Sequence, residues 1–254
     1  MLRQSLKNKQ KSSPQFKMRG LDNTRIEALS DGVFALAIAL LLISSEVPST
    51  FDELSVFLKN FFPFAATISI LTLVWYQHYI FFARYGLKDA RVVALNTLLL
   101  FLVLFFVYPL KFLFQVLFEL FPALFSGDQL ALEKLFSEVI RPEQGPSLMV
   151  LYGGGLTLVF VTMAALYFLA LRNKTSLKLN QLEIFDTKSN IYTNLMMASV
   201  PFVSFLISFF HLGGSSASTF SISGMLYMSY CIVMPVFGRL RGNSRIKFLN
   251  QMTK

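Results

Sequence analysis

Long apolar runs alternate with short polar segments along the chain, and each run has roughly the 20 residues, about 30 Å as a helix, that a bilayer crossing needs. They predict spans over residues 26–45, 54–85, 92–118, 147–171, 191–211 and 220–237. The second exceeds what a bilayer requires, so it should tilt or project into water. In the mixed linker 119–146, Leu130, Leu132, Leu135, Phe136, Val139 and Ile140 interleave with Glu133, Lys134, Ser137 and Glu138, the pattern of an amphipathic helix on the membrane surface. Residues 1–20 and 238–254 read as basic tails, 172–188 as a polar loop, and 21–237 as one six-span domain.

The first span departs from a plain anchor. Gly32, Leu36, Leu40 and Ile43 recur at helical spacing as a smooth stripe of small and aliphatic side chains. Glu27, Ser30, Asp31 and Phe34 occupy a neighbouring sector. A carboxylate at hydrocarbon depth costs at least about 2.5 kcal/mol unless it is partnered. One edge of this helix should therefore pack on other helices through polar contacts, leaving the aliphatic edge for something else.

Composition agrees. Hydrophobic residues make up 54% of the 254, charged residues 15%, and mean hydropathy is +0.57, which places the chain among all-α integral membrane proteins. The net charge of +9 does not call for nucleic acid, because the basic residues sit in tails and short loops. They cluster before Arg25, at Arg84, Lys88 and Arg91, at Arg172, Lys174, Lys178 and Lys188, and after Arg239, while the alternate loops carry Glu46, Asp52, Glu53, Glu119, Asp128, Glu133, Glu138 and Glu143. The bias predicts a multi-pass membrane protein with both termini cytoplasmic. Cys231 is the single cysteine, so no intrachain disulfide forms. With His78 and His211 the only histidines, no metal centre or other cofactor is expected. The first apolar run is too long for a signal peptide and lacks a cleavage site. No internal repeat is visible.

With this topology Arg25, Ser30 and Asp31 on the first span, Trp75 and His78 on the second and Asn96 on the third lie at similar depth. Two readings stand. In one, these groups form a hydrogen-bonded clamp that fixes the rotation of the first helix. In the other, Asp31 and His78 relay protons, either through a pore or as acid and base of a transporter or membrane enzyme. Ser30, Asp31 and His78 have the residue types of a hydrolase, but no Gly-x-Ser-x-Gly elbow accompanies them. Gly153–Gly155 reads as a close-packing patch. A non-conducting scaffold would need the aliphatic stripe covered by other helices.

Arg25-x-x-x-Leu29-Ser30-Asp31, followed by an Ala- and Leu-rich helix, resembles the Arg-x-x-x-Phe-Ser-Asp signature that opens the first helix of the transmembrane protein 175 potassium channels. Trp75, His78 and Asn96 look like that family's partner residues. The resemblance implies a homotetrameric channel for monovalent cations, potassium preferred, embedded in the lipid of a bacterial inner membrane and without enzymatic activity. Its pore would be lined by the first helix of each copy through Leu36, Ala39, Leu40 and Ile43, with Leu36 the narrowest ring. Leu29 replaces the usual phenylalanine. Ala39 stands where many members carry a hydroxyl, which predicts weaker discrimination against sodium. Glu46, Asp52 and Glu53 near the outer mouth would concentrate cations, or simply be solvated turn charges.

Overall fold

The computed structural model describes residues 16–20, 22, 24–43 and 47–252. Among them the chain is helical: α1 Arg25–Ile43, α2 Phe51–Lys59, α3 Phe61–Tyr85, α4 Ala90–Ser126, α5 Gln129–Lys134, α6 Gly145–Arg172, α7 Gln181–Phe209, α8 Ser216–Met225 and α9 Tyr230–Met252. Six segments are long and apolar enough to cross a membrane: α1, α3, α4, α6, α7 and the nearly continuous pair α8–α9. Their alternation gives the bundle a basic end, where α1, α4 and α7 begin and α3, α6 and α9 finish, and an opposite end.

Several boundaries differ from the sequence expectation, each for a local reason. The single helix expected over 54–85 is two, broken at Asn60. Pro63 has no N–H to give the carbonyl of Lys59, so the ladder is interrupted there while the proline sits comfortably in the first turn of α3. Helix α4 runs on past 118 for 37 residues in all, about 55 Å at helical rise, and therefore projects well beyond a bilayer. It stops only where Gly127 takes a left-handed conformation (φ 70°) and its N–H meets the carbonyl of Ala123. In the linker Asp128 caps α5, which continues without a break into a wider helical turn over Leu135–Val139; Leu135 and Ile140 are buried while Glu133, Lys134, Ser137 and Glu138 stay exposed.

The polar loop expected to reach 188 ends at Asn180, whose side chain accepts from the N–H of Glu183 while Glu183 reaches back to the N–H of Asn180. This capping box starts α7 ten residues before the apolar run that marked it. The C-terminal tail likewise continues α9 to Met252, held onto α7 by Arg245–Asp186 and by stacking of Phe248 on Phe185. Residues 1–15, the end of the first span at 44–45 and Glu46 lie outside the described residues.

Packing is densest between α6 and α7. A Cβ on Gly153 would stand 2.7 Å from the carbonyl oxygen of Pro201, and one on Gly155 only 2.0 Å from the Phe106 ring, so these glycines admit α7 and α4 where a side chain could not. Two apolar clusters fill the interior. One, at the basic end, joins Phe81, Phe82, Tyr85, Leu99, Leu166 and Tyr167. The other seats Phe34, Ala37 and Leu41 of α1 against Leu71 of α3 and Leu100, Val103 and Val107 of α4. Through it α1 is bound to the bundle along one face only.

Candidate functional site

Thr24 opens α1. Its N–H donates to Glu27 Oε2 at 2.8 Å and its hydroxyl accepts from the Glu27 N–H at 3.2 Å, so the carboxylate is both buried and matched. From there two seams run along the helix in the same three-four rhythm. Glu27, Ser30, Phe34, Ala37 and Leu41 are buried. Leu29, Gly32, Leu36, Ala39 and Ile43 are exposed, Leu36 at 50% and Ile43 at 75%, and Leu40 is half-covered. A period near 3.5 keeps each seam on one side of the helix, so the uncovered edge is a straight aliphatic strip with an open step at Gly32.

The buried seam carries a closed hydrogen-bond chain across three helices. His78 Nε2 lies 2.7 Å from Asn96 Oδ1, which can only accept, so this nitrogen carries the proton. Asn96 Nδ2 donates to Ser30 Oγ at 3.0 Å, and Ser30 Oγ donates to the carbonyl of Ile26 at 2.8 Å. All three side chains are at most 2% exposed. Tilted ring contacts with Phe34 and Phe82 hold the His78 ring on either side.

Beside this chain, one turn earlier on α3, Trp75 Nε1 donates to Asp31 Oδ1 at 2.8 Å, with the indole stacked on Tyr79. Asp31 is exposed and Trp75 half-buried. The structure thus brings together five of the six polar residues singled out in the sequence, as two separate contacts. Arg25 stands apart, exposed in the first turn. The hydrogen bonds of Asp31 and His78 run to Trp75 and Asn96 rather than to each other, so no direct acid–base pair links them.

Two groups that hold α1 escaped the sequence reading. Lys111, the lone lysine of α4's long apolar run, donates from Nζ to the carbonyl of Leu41 at 3.2 Å, meeting one of the unmatched carbonyls in the last turn of α1. A charge isolated in an apolar run was the available signal. At the other end, residues 16–20 form an extended strap. Gly20 and Arg19 donate their N–H groups to the carbonyls of Ala83 and Arg84. Arg19 also forks onto Glu183 at 2.7 and 2.9 Å and reaches the carbonyl of Leu177. A side chain on Gly20 would strike the Phe82 carbonyl, its Cβ 2.2 Å from the oxygen. A sequence separation of 164 between Arg19 and Glu183 left no local trace of this pairing.

At the opposite end, Thr50 and Glu53 form the capping box of α2, and Glu53 also accepts from the N–H and hydroxyl of Ser49. Those Ser49 hydrogen bonds, backbone first, and then those of Thr50 hold the Glu53 carboxyl below the usual glutamate range. Asp52 is exposed beside it.

Residues 25–106 match the family model described as endosomal/lysosomal potassium channel TMEM175, a window that contains both seams of α1 and all their partners on α3. A potassium channel of Marivirga tractuosa is 43% identical over 237 residues, covering 93% of this chain and 95% of the relative. A potassium channel of Chamaesiphon minutus is 34% identical over 101 residues, covering 37% of this chain and 50% of the relative. The crystal structure of the potassium channel MtTMEM175, a threonine-to-alanine variant in complex with a nanobody–MBP fusion, superposes with a TM-score of 0.80 at 43% identity, covering 91% of this chain and 98% of that one.

Proposed function

This chain belongs to the TMEM175 potassium-channel family, and from that premise we propose that four copies form one potassium-preferring pore lined by the uncovered edge of α1. One observation carries the reading: the strip Leu29, Gly32, Leu36, Ala39 and Ile43 is aliphatic, straight and left bare by the other helices of its own chain, while the opposite edge is locked by buried hydrogen bonds. A scaffold would bury such a strip; a pore built by symmetry leaves it for the axis.

Selection and gating follow from the chemistry of the strip. Methyl groups cannot replace an ion's water shell, so a ring of Leu36 side chains closes the path by expelling water when narrow. When wider it passes partly hydrated ions and favours those that shed water cheaply, potassium over sodium. The His78–Asn96–Ser30 chain and the Trp75–Asp31 bond act as the clamp that keeps Leu36 pointing at the axis. Asp52 and Glu53 raise the local cation concentration at the outer mouth. The basic end faces the cytoplasm of the bacterial cell and holds both termini, in keeping with the charge bias.

The test is flux from vesicles holding purified protein under potassium and sodium gradients. Leu36→Ala should raise the flux several-fold and lower the potassium-to-sodium ratio; unchanged rate and ratio would overturn the assignment. Ala39→Thr places a hydroxyl one turn from Leu36 on the same strip and should raise the ratio. If sodium passes as freely as before, the strip at Ala39 does not face ions.

A further inference from the structure

The basic end contains guanidinium groups that the network around α1 does not use. Four arginines gather where α3, α7 and α9 meet: Arg19, Arg84, Arg241 and Arg245. Two are matched by carboxylates, Arg19 by Glu183 and Arg245 by Asp186 through paired bonds of 2.9 and 3.2 Å. Among the described residues Arg84 and Arg241 have no carboxylate partner. Arg241 spends two N–H groups on neutral acceptors, Asn190 Oδ1 and Thr193 Oγ1, both at 2.8 Å. Arg84 lies with its guanidinium 5.0 Å from the centre of the Phe16 ring. Tyr85, next to Arg84, shares a 2.7 Å hydrogen bond with Thr187, which brings the end of α3 to the part of α7 that carries Asp186 and Asn190, the partners of Arg245 and Arg241.

The unmatched atoms have one sign. Arg84 Nε and Asn190 Nδ2 are buried without an acceptor among the described residues. The amide's orientation is fixed, because Asn190 Oδ1 is the atom that receives Arg241. Both orphans are therefore donors, in a cluster where four guanidinium groups face two carboxylates, Glu183 and Asp186, the latter shared between Arg245 and the field at Arg241, and a buried donor left unmet destabilises the fold. Neither a water, which would leave the charge in place, nor a cation meets that combination. A group with several acceptor oxygens and a negative charge does, and a guanidinium fork suits phosphate above other anions.

We propose that the cluster of guanidinium groups at the ends of α3, α7 and α9 binds an anionic phosphate group, held by Arg241 and Arg84 with Asn190 Nδ2 as a further donor once the side chains part to admit it. Phospholipid headgroups and free phosphate share this chemistry. The location, at the basic end of a bundle of membrane helices, is where anionic headgroups concentrate. Occupation would also touch the pore helix, because the Arg84 carbonyl receives the N–H of Arg19 in the strap leading into α1.

The test compares thermal unfolding of the purified protein in phosphatidylcholine nanodiscs with and without phosphatidylglycerol, and in phosphatidylcholine nanodiscs with inorganic phosphate at fixed ionic strength. Phosphatidylglycerol should raise the midpoint of the wild type, and Arg241→Gln should abolish the rise. Arg239→Gln removes an equal charge from an exposed position at the same end and should keep it. Should Arg241→Gln fold poorly, Asn190→Asp supplies the missing negative charge beside Arg241. It should then be at least as stable as wild type in pure phosphatidylcholine, with no response to phosphatidylglycerol. An Arg241-dependent rise with inorganic phosphate alone assigns the cluster to free phosphate. No rise in the wild type with either phosphate source, or equal loss in Arg239→Gln and Arg241→Gln, overturns the proposal.

Discussion

Asn96 is the residue on which the orientation of α1 turns, because its side chain hydrogen-bonds to both α3 and α1. Its oxygen takes the His78 proton and its nitrogen gives to Ser30, so neither end has a spare partner. Asn96→Ala removes both hydrogen bonds at once and leaves the imidazole N–H buried and unmet, a loss of about 1–3 kcal/mol for the stranded donor alone. Asp31→Asn, by contrast, keeps an oxygen for the Trp75 indole at an exposed site and should cost under about 1 kcal/mol. Thermal melts of the two variants in one detergent check the ranking. A larger loss from Asp31→Asn would mean that the exposed contact, not the buried chain, fixes the helix. The residue types of this network were legible in the sequence, since polar side chains inside apolar runs must find each other. Which pairs with which was not, because hydrogen-bond pairing depends on helix rotation, and Arg25 failed to join for that reason.

Among the elements, those whose start or stop signal does not coincide with the edge of the apolar run were the ones misjudged by hydropathy alone. Pro63, Gly127 and the Asn180-x-x-Glu183 box each mark an end that local chemistry sets, whereas apolar length marks only the membrane-crossing middle. The short helix α2 offers a direct check of such a signal. Its Glu53 accepts from Ser49 and Thr50 only as a carboxylate, so its folded-state pKa lies below the unfolded one. The cap is therefore complete above the unfolded value and is lost as pH falls through the lower, folded value. A carboxyl-carbon NMR titration should place the Glu53 midpoint below that of an ordinary glutamate. Ser49→Ala deletes the hydroxyl but keeps the backbone donor, so the midpoint should rise part of the way back. An unmoved midpoint would remove Ser49 from the cap. The same shift keeps a negative charge at this end of the bundle in mildly acidic surroundings, which the outer-mouth proposal requires.

At the scale of the whole molecule the chain is built as one wall of something larger. Its α1 is pinned at the basic end by the strap through Arg19 and Gly20, at the opposite end by Lys111, and along its length by the second apolar cluster. The uncovered side of α1 includes the strip, and four-fold assembly around it makes a prediction that no single chain can satisfy. In a Cys231→Ser background, which removes the one native thiol, exposed in the chain, Leu36→Cys would place four thiols around the axis. Cadmium is a soft cation that binds thiolates in tetrahedral sets, so it should block potassium flux through this variant and spare the parent. Ala37→Cys lies one residue on but at a fully buried position facing α3 and α4, and it should be insensitive. Leu42→Cys, exposed yet off the strip, separates mere accessibility from convergence. A lipid-facing thiol has no neighbours within reach and should not support block. Cadmium sensitivity at Leu42→Cys but not Leu36→Cys would put the wrong edge of α1 at the axis. Insensitivity at both would mean that the copies do not converge on α1 at all.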